Sequence, residues 1–147
     1  SSDLLDSVTY KQKVAAGKAY GALAWNGDGA YVVSKTKGKA EYVVASEGGE
    51  FWVDSYVIPI GAKNPAAAHT WIDFVYQAKE NVQETSYTYY GSPLKRRIFG
   101  TVPGSKKLLT NDDVFPAPKI LAKLEANNIS PKGTRLRERI WTEFKSA

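Results

Sequence analysis

The stretch GGEFWVDSYVIPIG, residues 48–61, decides the predicted fold. It is rich in Val, Ile and aromatic side chains, with glycines before it and proline and glycine near its end, which is typical of a buried β-strand. Trp52 and Asp54 lie two positions apart, so on a strand their side chains point to the same face. A carboxylate on the face of a central strand indicates a bound ligand, and the question is which chemical group Asp54 binds.

The composition is that of one ordinary globular domain. The chain has 147 residues, of which 43% are hydrophobic and 24% charged, enough for a single core. It has no Cys and no Met, so disulfides, cysteine zinc sites and thiol nucleophiles are excluded. No apolar run is long enough to span a membrane. The start of the sequence is too polar for a signal peptide, and we expect a processed product or a piece of a longer chain.

The positive charge is concentrated in the last third of the chain. The net charge of +5 divides into −2 over residues 1–92 and +7 over residues 93–147. Such an asymmetry is found where a protein meets nucleic acid or an acidic partner. The simpler interpretation is a solvated helical face, because Lys and Arg are mostly exposed.

Helical and strand patterns alternate, which predicts an α/β fold. Helices are predicted over residues 3–16, 64–78, 118–128 and 130–147, the second beginning at Asn64-Pro65. Strands are predicted over residues 20–25, 40–46 and 48–61. The motif NGDG at residues 26–29 predicts a turn or a helix start, and periodicity leaves residues 30–35 open between helix and strand. His69 lies off the apolar stripe of its helix, as a surface histidine does.

The sequence lacks the residues that most enzymes need. It has no Walker loop, GxGxxG, GxSxG or HExxH motif. A single His and no Cys leave little for general-base or nucleophilic catalysis near neutral pH. We therefore predict that the chain is not an enzyme and uses no cofactor or metal.

Aromatic residues next to carboxylates are the remaining signal. Trp25 is followed by Asp28, Trp52 is followed by Asp54, and Tyr89-Tyr90 precedes a turn. Aromatic faces attract cations, and a carboxylate holds a cation by a charge-assisted hydrogen bond. Together they predict a site for an organic amine. The alternative from spacing alone is that both tryptophans are core residues.

Three of these motifs, in this order, resemble a known family. They are W-N-G at Trp25–Gly27, E-G-G-x-F-W-x-D-S at Glu47–Ser55, and Tyr-x-x-Pro at Tyr90–Pro93. The sequence resembles the spermidine- and putrescine-binding proteins of bacterial ABC importers, and specifically their C-terminal half. The resemblance implies part of a two-lobed, type II periplasmic-binding-protein fold, with a mixed sheet flanked by helices. It also implies an extracytoplasmic location, in the periplasm or at the cell surface, and leaves open whether the receptor is free, lipoprotein-anchored or permease-fused.

The resemblance also implies roles for individual residues. Trp25 and Trp52 stack on the methylene chain of the amine, Asp54 binds an ammonium group, and Tyr90 closes the pocket. Either Tyr89 or Tyr90 is the matching aromatic. Asp28, where many members have Ser, adds an acid to the site or caps a helix. Thr142 is the nearest match to a glutamine that relatives offer to the ligand.

The resemblance implies that this chain contributes segments to both lobes of the family's fold. Residues of about 1–50 and 115–147 resemble the second lobe, and residues of about 51–114 resemble the first. The expected partners are a polyamine and an ABC-transporter permease, with self-association where apolar surface lacks its cover.

Two alternatives remain open. The same fold binds ferric ion in relatives with adjacent tyrosines, for which Tyr89 and Tyr90 are candidates. Nucleic-acid binding would use the basic residues of the last third. These are Lys95, Arg96, Arg97, Arg135, Arg137 and Arg139. The three arginines of the last helix recur every second residue and so do not form one stripe. We therefore expect no nucleic-acid partner.

Overall fold

The computed structural model describes residues 7–127 and 129–146, which form a small α/β unit of eight helices and two strands. The elements in chain order are α1 (Tyr10–Ala15), α2 (Asn26–Thr36), β1 (Gly49–Phe51), α3 (Pro65–Val75), α4 (Ala78–Thr88), α5 (Arg96–Phe99), α6 (Lys106–Leu109), α7 (Pro118–Leu121), β2 (Leu124–Ala126) and α8 (Pro131–Ser146). The α/β class is therefore confirmed. Among the described residues no helix is long and apolar enough to cross a membrane.

The sheet is smaller than predicted and has one strand direction. β1 and β2 pair in parallel, with Gly49 opposite Leu124 and Phe51 opposite Ala126. The expected mixed sheet is wrong for the described part of the chain, which holds this one parallel pair. β1 covers only the beginning of the 48–61 stretch, and residues 20–25 and 40–46 form no strand.

The missing strands have a physical cause. A strand is stable only when its backbone N–H and C=O groups pair with a neighbouring strand, and residues 20–25, 40–46 and 52–58 find none within the described chain. Their apolar side chains are consequently in contact with solvent instead of forming a core. The most exposed ones are Tyr20, Leu23, Val43, Val53 and Val57.

α2 begins at the NGDG motif, so the helix-start alternative for that motif is correct. The Trp25 carbonyl accepts the first helical hydrogen bond, from Gly29 N at 2.9 Å. Two glycines are required here by close packing. A Cβ on Gly27 would lie 2.7 Å from the ring of Tyr90, and one on Gly29 would collide with the ring of Tyr42. The helix continues through residues 30–35, where the sequence pattern was ambiguous.

α3 begins as predicted but packs differently. The Asn64 side chain accepts a hydrogen bond from Ala67 N at 3.0 Å, and Pro65 occupies the first turn. No residue of this helix is buried. Trp71 contacts Tyr56 edge-on, with ring centroids 5.0 Å apart, yet Trp71 and Phe74 of the apolar stripe both stay about half exposed.

The core is a small cluster under α4 and α5. It consists of Ala30, Val82, Phe99, Val114 and Phe115, each at most 8% exposed. The rings of Phe99 and Phe115 meet edge-on at 5.2 Å. This cluster joins α2, α4, α5 and the segment before α7, and so holds together the helices beside the candidate site.

The C-terminal third combines one wrong prediction with one correct one. The helix expected over residues 118–128 ends at Leu121, and β2 follows because Leu124–Ala126 pairs with β1. The last helix is correct: α8 runs from Pro131 to Ser146, and the Ser130 hydroxyl accepts from Gly133 N at 3.2 Å. Its apolar face remains exposed, and Trp141 stacks on Phe144 there.

Candidate amine site

Four of the predicted site residues line one recess. Trp25, Trp52, Asp54 and Tyr90 surround a concavity of about 320 Å³. They also border a much broader open depression of about 2580 Å³. Ligand pockets for small molecules usually measure roughly 300–1,000 Å³, and the recess lies at the lower end of that range.

The tryptophans reach the recess from two different elements. Trp25 is the residue before α2, where the backbone is still extended, with φ −67° and ψ 151°. Trp52 and Asp54 follow β1 directly, and both line the recess. Trp25 is 47% exposed and Trp52 is 38% exposed, so neither is a core residue. The alternative that both are core tryptophans is therefore wrong.

Tyr89 and Tyr90 face different parts of the molecule. Tyr89 ends α4 in the left-handed conformation, with φ 61°, and packs against the core cluster. Tyr90 lies in the recess, where its ring meets Trp52 edge-on with centroids 6.3 Å apart. Burial raises the pKa of the Tyr90 phenol, and the nearby charges of Asp28 and Asp54 raise it further. At neutral pH the recess therefore offers a neutral hydroxyl.

Asp28 lies beside the recess, on the first turn of α2, and both its oxygens already have partners. The Tyr10 hydroxyl donates to Oδ2 at 2.5 Å, and the Lys11 ammonium donates to Oδ1 at 2.6 Å. The side chain of Asp28 is 13% exposed. Burial raises the pKa of Tyr10, and its hydrogen bond to Asp28 raises it further.

The contribution of α1 to this region was missed by sequence reasoning. Tyr10 and Lys11 lie 18 and 17 residues before Asp28, and their meeting depends on α1 packing against α2. No local pattern in the sequence indicates such a tertiary contact. The charge of Asp28 could be read from the sequence, but its ion pair could not.

Apart from Tyr90, the residues named for the alternative functions, and Thr142, do not line the recess. Because Tyr89 and Tyr90 diverge, they do not jointly face one cation, and the described residues contain no group of three or more His, Cys, Asp or Glu suited to a metal. Arg96 lies over the ring of Phe115 at 5.3 Å. Arg139 pairs with Glu143 on α8 at 3.7 Å. Thr142 donates to the Glu138 carbonyl at 2.8 Å, within the same helix.

Comparison with known proteins confirms the resemblance. No family model matches the chain. The spermidine/putrescine-binding periplasmic protein of Salmonella typhimurium is 28% identical over 84% of this chain and 34% of its own length. The putrescine/cadaverine-binding protein of Pseudomonas aeruginosa is 27% identical over 73% and 30%. The putrescine-binding periplasmic protein of Escherichia coli is 24% identical over 95% and 39%.

These similarities have two consequences. The chain is similar to binding proteins, which are not enzymes, so the non-enzyme prediction is confirmed. The chain spans only about a third of the length of these curated relatives. The polyamine names of these relatives refer to their full-length chains, whereas the recess described above lies in the shorter chain.

Proposed function

We propose that this chain binds an aliphatic polyamine, such as putrescine or spermidine, in the recess formed by Trp25, Trp52, Asp54 and Tyr90. The observation that carries the proposal is the convergence of three aromatic rings and one carboxylate on a single ligand-sized concavity. These are the two kinds of group that an alkyl chain ending in an ammonium requires.

Each side chain has a distinct role in the proposed site. Asp54 lines the recess, where its carboxylate accepts charge-assisted hydrogen bonds from an ammonium group. Trp25 and Trp52 pack against the methylene chain and attract the cation through their ring faces. Tyr90 closes the side next to Trp52, with its hydroxyl as a hydrogen-bond partner. Asp28 is a second acid beside this site.

The names of the relatives support the choice of ligand. All three are named for spermidine, putrescine or cadaverine, which are flexible chains with a positive charge at each end. We propose by extension that the chain acts outside the cytoplasm, in the periplasm or at the cell surface, and delivers its amine to an ABC-transporter permease.

The two-lobed arrangement is part of the same proposal. Residues of about 1–50 and 115–147 form one lobe-like part, and residues of about 51–114 form the other. The parallel pairing of β1 with β2 supports the first grouping, because it joins residue 49 to residue 124. The core cluster crosses the division, since Ala30 packs with Val82 and Phe99, which links the two parts closely.

We further propose that the isolated chain self-associates through its exposed apolar surface. Large apolar side chains are exposed on α3, on α8 and along the 52–60 segment, and contiguous apolar patches usually mark protein contacts. Sedimentation velocity across a concentration series should detect dimers or larger species. A monomer at every concentration would contradict this part of the proposal.

Calorimetric titration with putrescine tests the amine site directly. Asp54→Asn removes the charge that holds the ammonium, and we expect affinity to fall by roughly tenfold or more, as for a hydrogen bond to a charged group. Asp73→Asn is the matched control, because Asp73 is an exposed acid on α3 that does not border the recess. Equal effects of the two changes, or no binding by the unmodified chain, would overturn the proposal.

A further inference from the structure

The segment that carries Tyr90 is tied to α4 by a pair of side chains. This segment, the α4–α5 loop, consists of residues 89–95. Within it, the Ser92 hydroxyl donates a hydrogen bond to Asn81 Oδ1 on α4 and accepts one from Leu94 N at 3.0 Å. The single proton of this hydroxyl is therefore committed to Asn81, and the centre of the loop is fixed to the helix.

Asn81 is a buried polar residue whose hydrogen bonds fix its orientation. It lies near the start of α4 and is 3% exposed. Its Nδ2 donates to the Val75 carbonyl at 3.5 Å. Because that carbonyl can only accept, it faces the amide N–H and leaves Oδ1 for the Ser92 hydroxyl. A buried amide costs free energy unless it is hydrogen-bonded, so the link to Ser92 is part of what makes the burial of Asn81 tolerable.

The link between Asn81 and Ser92 lies two residues from Tyr90, whose ring forms one side of the recess. That ring meets Trp52 edge-on, with centroids 6.3 Å apart. It also packs against the backbone of Gly27, where a Cβ would lie 2.7 Å from it. Asn81 and Ser92 themselves do not line the recess. Their effect on a ligand there is consequently indirect, through the position of the backbone that carries Tyr90.

The two ends of the α4–α5 loop are anchored differently from its centre. Near the ends, Tyr89 and Leu94 pack against the core cluster. Between them, the Tyr90 N–H donates to the Thr88 hydroxyl at 3.3 Å, a contact with a residue only two positions earlier. The hydrogen bond from Ser92 to Asn81 instead reaches across 11 residues. It therefore ties the centre of the loop to the body of α4.

We propose that Asn81 is a positioning residue for the amine site. Through the Ser92 hydroxyl it holds the centre of the α4–α5 loop, and so keeps the Tyr90 ring against Trp52 as one wall of the recess. The inference rests on the proposed amine-binding function and deepens it. A preorganised wall lowers the free energy needed to order the site when a ligand binds. Without the link, part of the binding free energy of an amine is used to fix Tyr90, and affinity falls.

Titration with putrescine tests this inference at Ser92, which is less buried than Asn81. For Ser92→Ala we expect affinity to fall by about threefold to tenfold, the range for loss of one neutral hydrogen bond. Ser92→Thr keeps the hydroxyl and should restore the affinity of the unmodified chain. Ser86→Ala is the matched control, because the exposed Ser86 hydroxyl donates only within α4, to the Gln83 carbonyl at 2.7 Å. Equal affinities of Ser92→Ala and Ser86→Ala would overturn the inference.

A double-variant cycle separates positioning from general destabilisation. In a Tyr90→Ala background the recess has lost the ring that the link holds, so adding Ser92→Ala should lower putrescine affinity no further. Asn81→Leu keeps the buried position filled and should lower affinity by the same factor as Ser92→Ala. Because both changes cut one link, the two together should be no worse than either alone. Additive losses in either cycle would overturn the inference.

A second measurement needs no amine. Nuclear Overhauser contacts between the ring protons of Tyr90 and the indole protons of Trp52 report the edge-on packing of the two rings. These contacts should persist in Ser92→Thr and weaken in Ser92→Ala. Undiminished contacts in Ser92→Ala would overturn the inference even if putrescine binds. Weakened contacts in Ser92→Ala, without amine binding by the unmodified chain, would instead overturn the proposed function and leave Asn81 holding Tyr90 for no amine.

Discussion

The core cluster and the 52–60 segment are both apolar, yet only one of them is buried. Phe99 and Val114 are at most 2% exposed, whereas Val57 is 81% exposed and Ile60 fully so. The difference is one of partners: α2, α4 and α5 surround the cluster, while the segment pairs with no strand in the described chain. A sequence pattern therefore indicates which residues can be buried, and packing decides which are.

The largest expected effect comes from a pair of phenylalanine truncations, one in the core cluster and one on an exposed face. Phe99→Ala removes a ring with no exposure, and we expect it to lower the free energy of unfolding by about 3–5 kcal/mol. Phe144→Ala makes the same chemical change on α8, where the ring is 57% exposed, and should cost less than about 1 kcal/mol. Urea unfolding measures both. Similar losses would mean that the α8 face is covered in solution, by another copy or another segment.

The next test lies where α2 meets the recess. A Cβ on Gly27 would lie 2.7 Å from the Tyr90 ring and 2.8 Å from the Thr88 carbonyl. We expect Gly27→Ala to cost about 1–2 kcal/mol, because overpacking outweighs the better helix propensity of Ala. It should also change the fluorescence of Trp52 by displacing Tyr90.

Gly21→Ala is its control, because a Cβ there meets open space. We expect its free energy of unfolding to change by no more than about 0.5 kcal/mol and its tryptophan fluorescence to stay the same. If Gly27→Ala behaved like Gly21→Ala, the close contact between α2 and Tyr90 would be contradicted.

A smaller effect is expected at the start of α3. This helix has no buried residue, whereas α4 buries Asn81, Val82 and Thr85. The cap therefore contributes a larger share of the free energy that stabilises α3. Asn64→Ala should lower the free energy of unfolding by about 1 kcal/mol. Gln77→Ala at the start of α4 should cost almost nothing, since its side chain makes no cap hydrogen bond. Thermal unfolding of both variants distinguishes them, and equal shifts would contradict the role of the cap.

The smallest effect concerns the acid next to the core. Burial raises the pKa of Asp113, and the charges of Asp112 and Glu41 raise it further. Because its pKa is higher in the folded state, ionisation destabilises the fold above that pKa, and the penalty disappears below the unfolded-state pKa. Asp113→Asn should therefore increase stability at neutral pH, with the gain lost at about pH 3. Urea unfolding at the two pH values measures it, and a gain that persists in acid would contradict the assigned cause.

Helix boundaries with local chemical signals were predictable from the sequence. Asn64 and Pro65 mark the start of α3, and the NGDG motif allowed the start of α2. Trp52 and Asp54 were predicted to share one face of a strand; the strand ends at Phe51, yet both residues line the recess. At the two helix starts the interaction that decides the structure lies within a few residues along the chain.

The features that could not be predicted depend on distant contacts. Leu124–Ala126 forms a strand because β1 is available to it, although its own pattern is helical. The opposite directions of Tyr89 and Tyr90 follow from one left-handed backbone conformation, for which a tyrosine gives no signal. The partners of Asp28 come from α1, across 17 and 18 residues.

The pairing of β1 with β2 has a consequence for the order of folding. It joins Gly49 to Leu124 and so closes a loop of about 75 residues, which costs roughly 4 kcal/mol of chain entropy by the logarithmic rule for flexible loops. Three residues on each strand recover little of that cost. We therefore expect the helices between them to assemble first and shorten the effective loop, and the strand pair to form late.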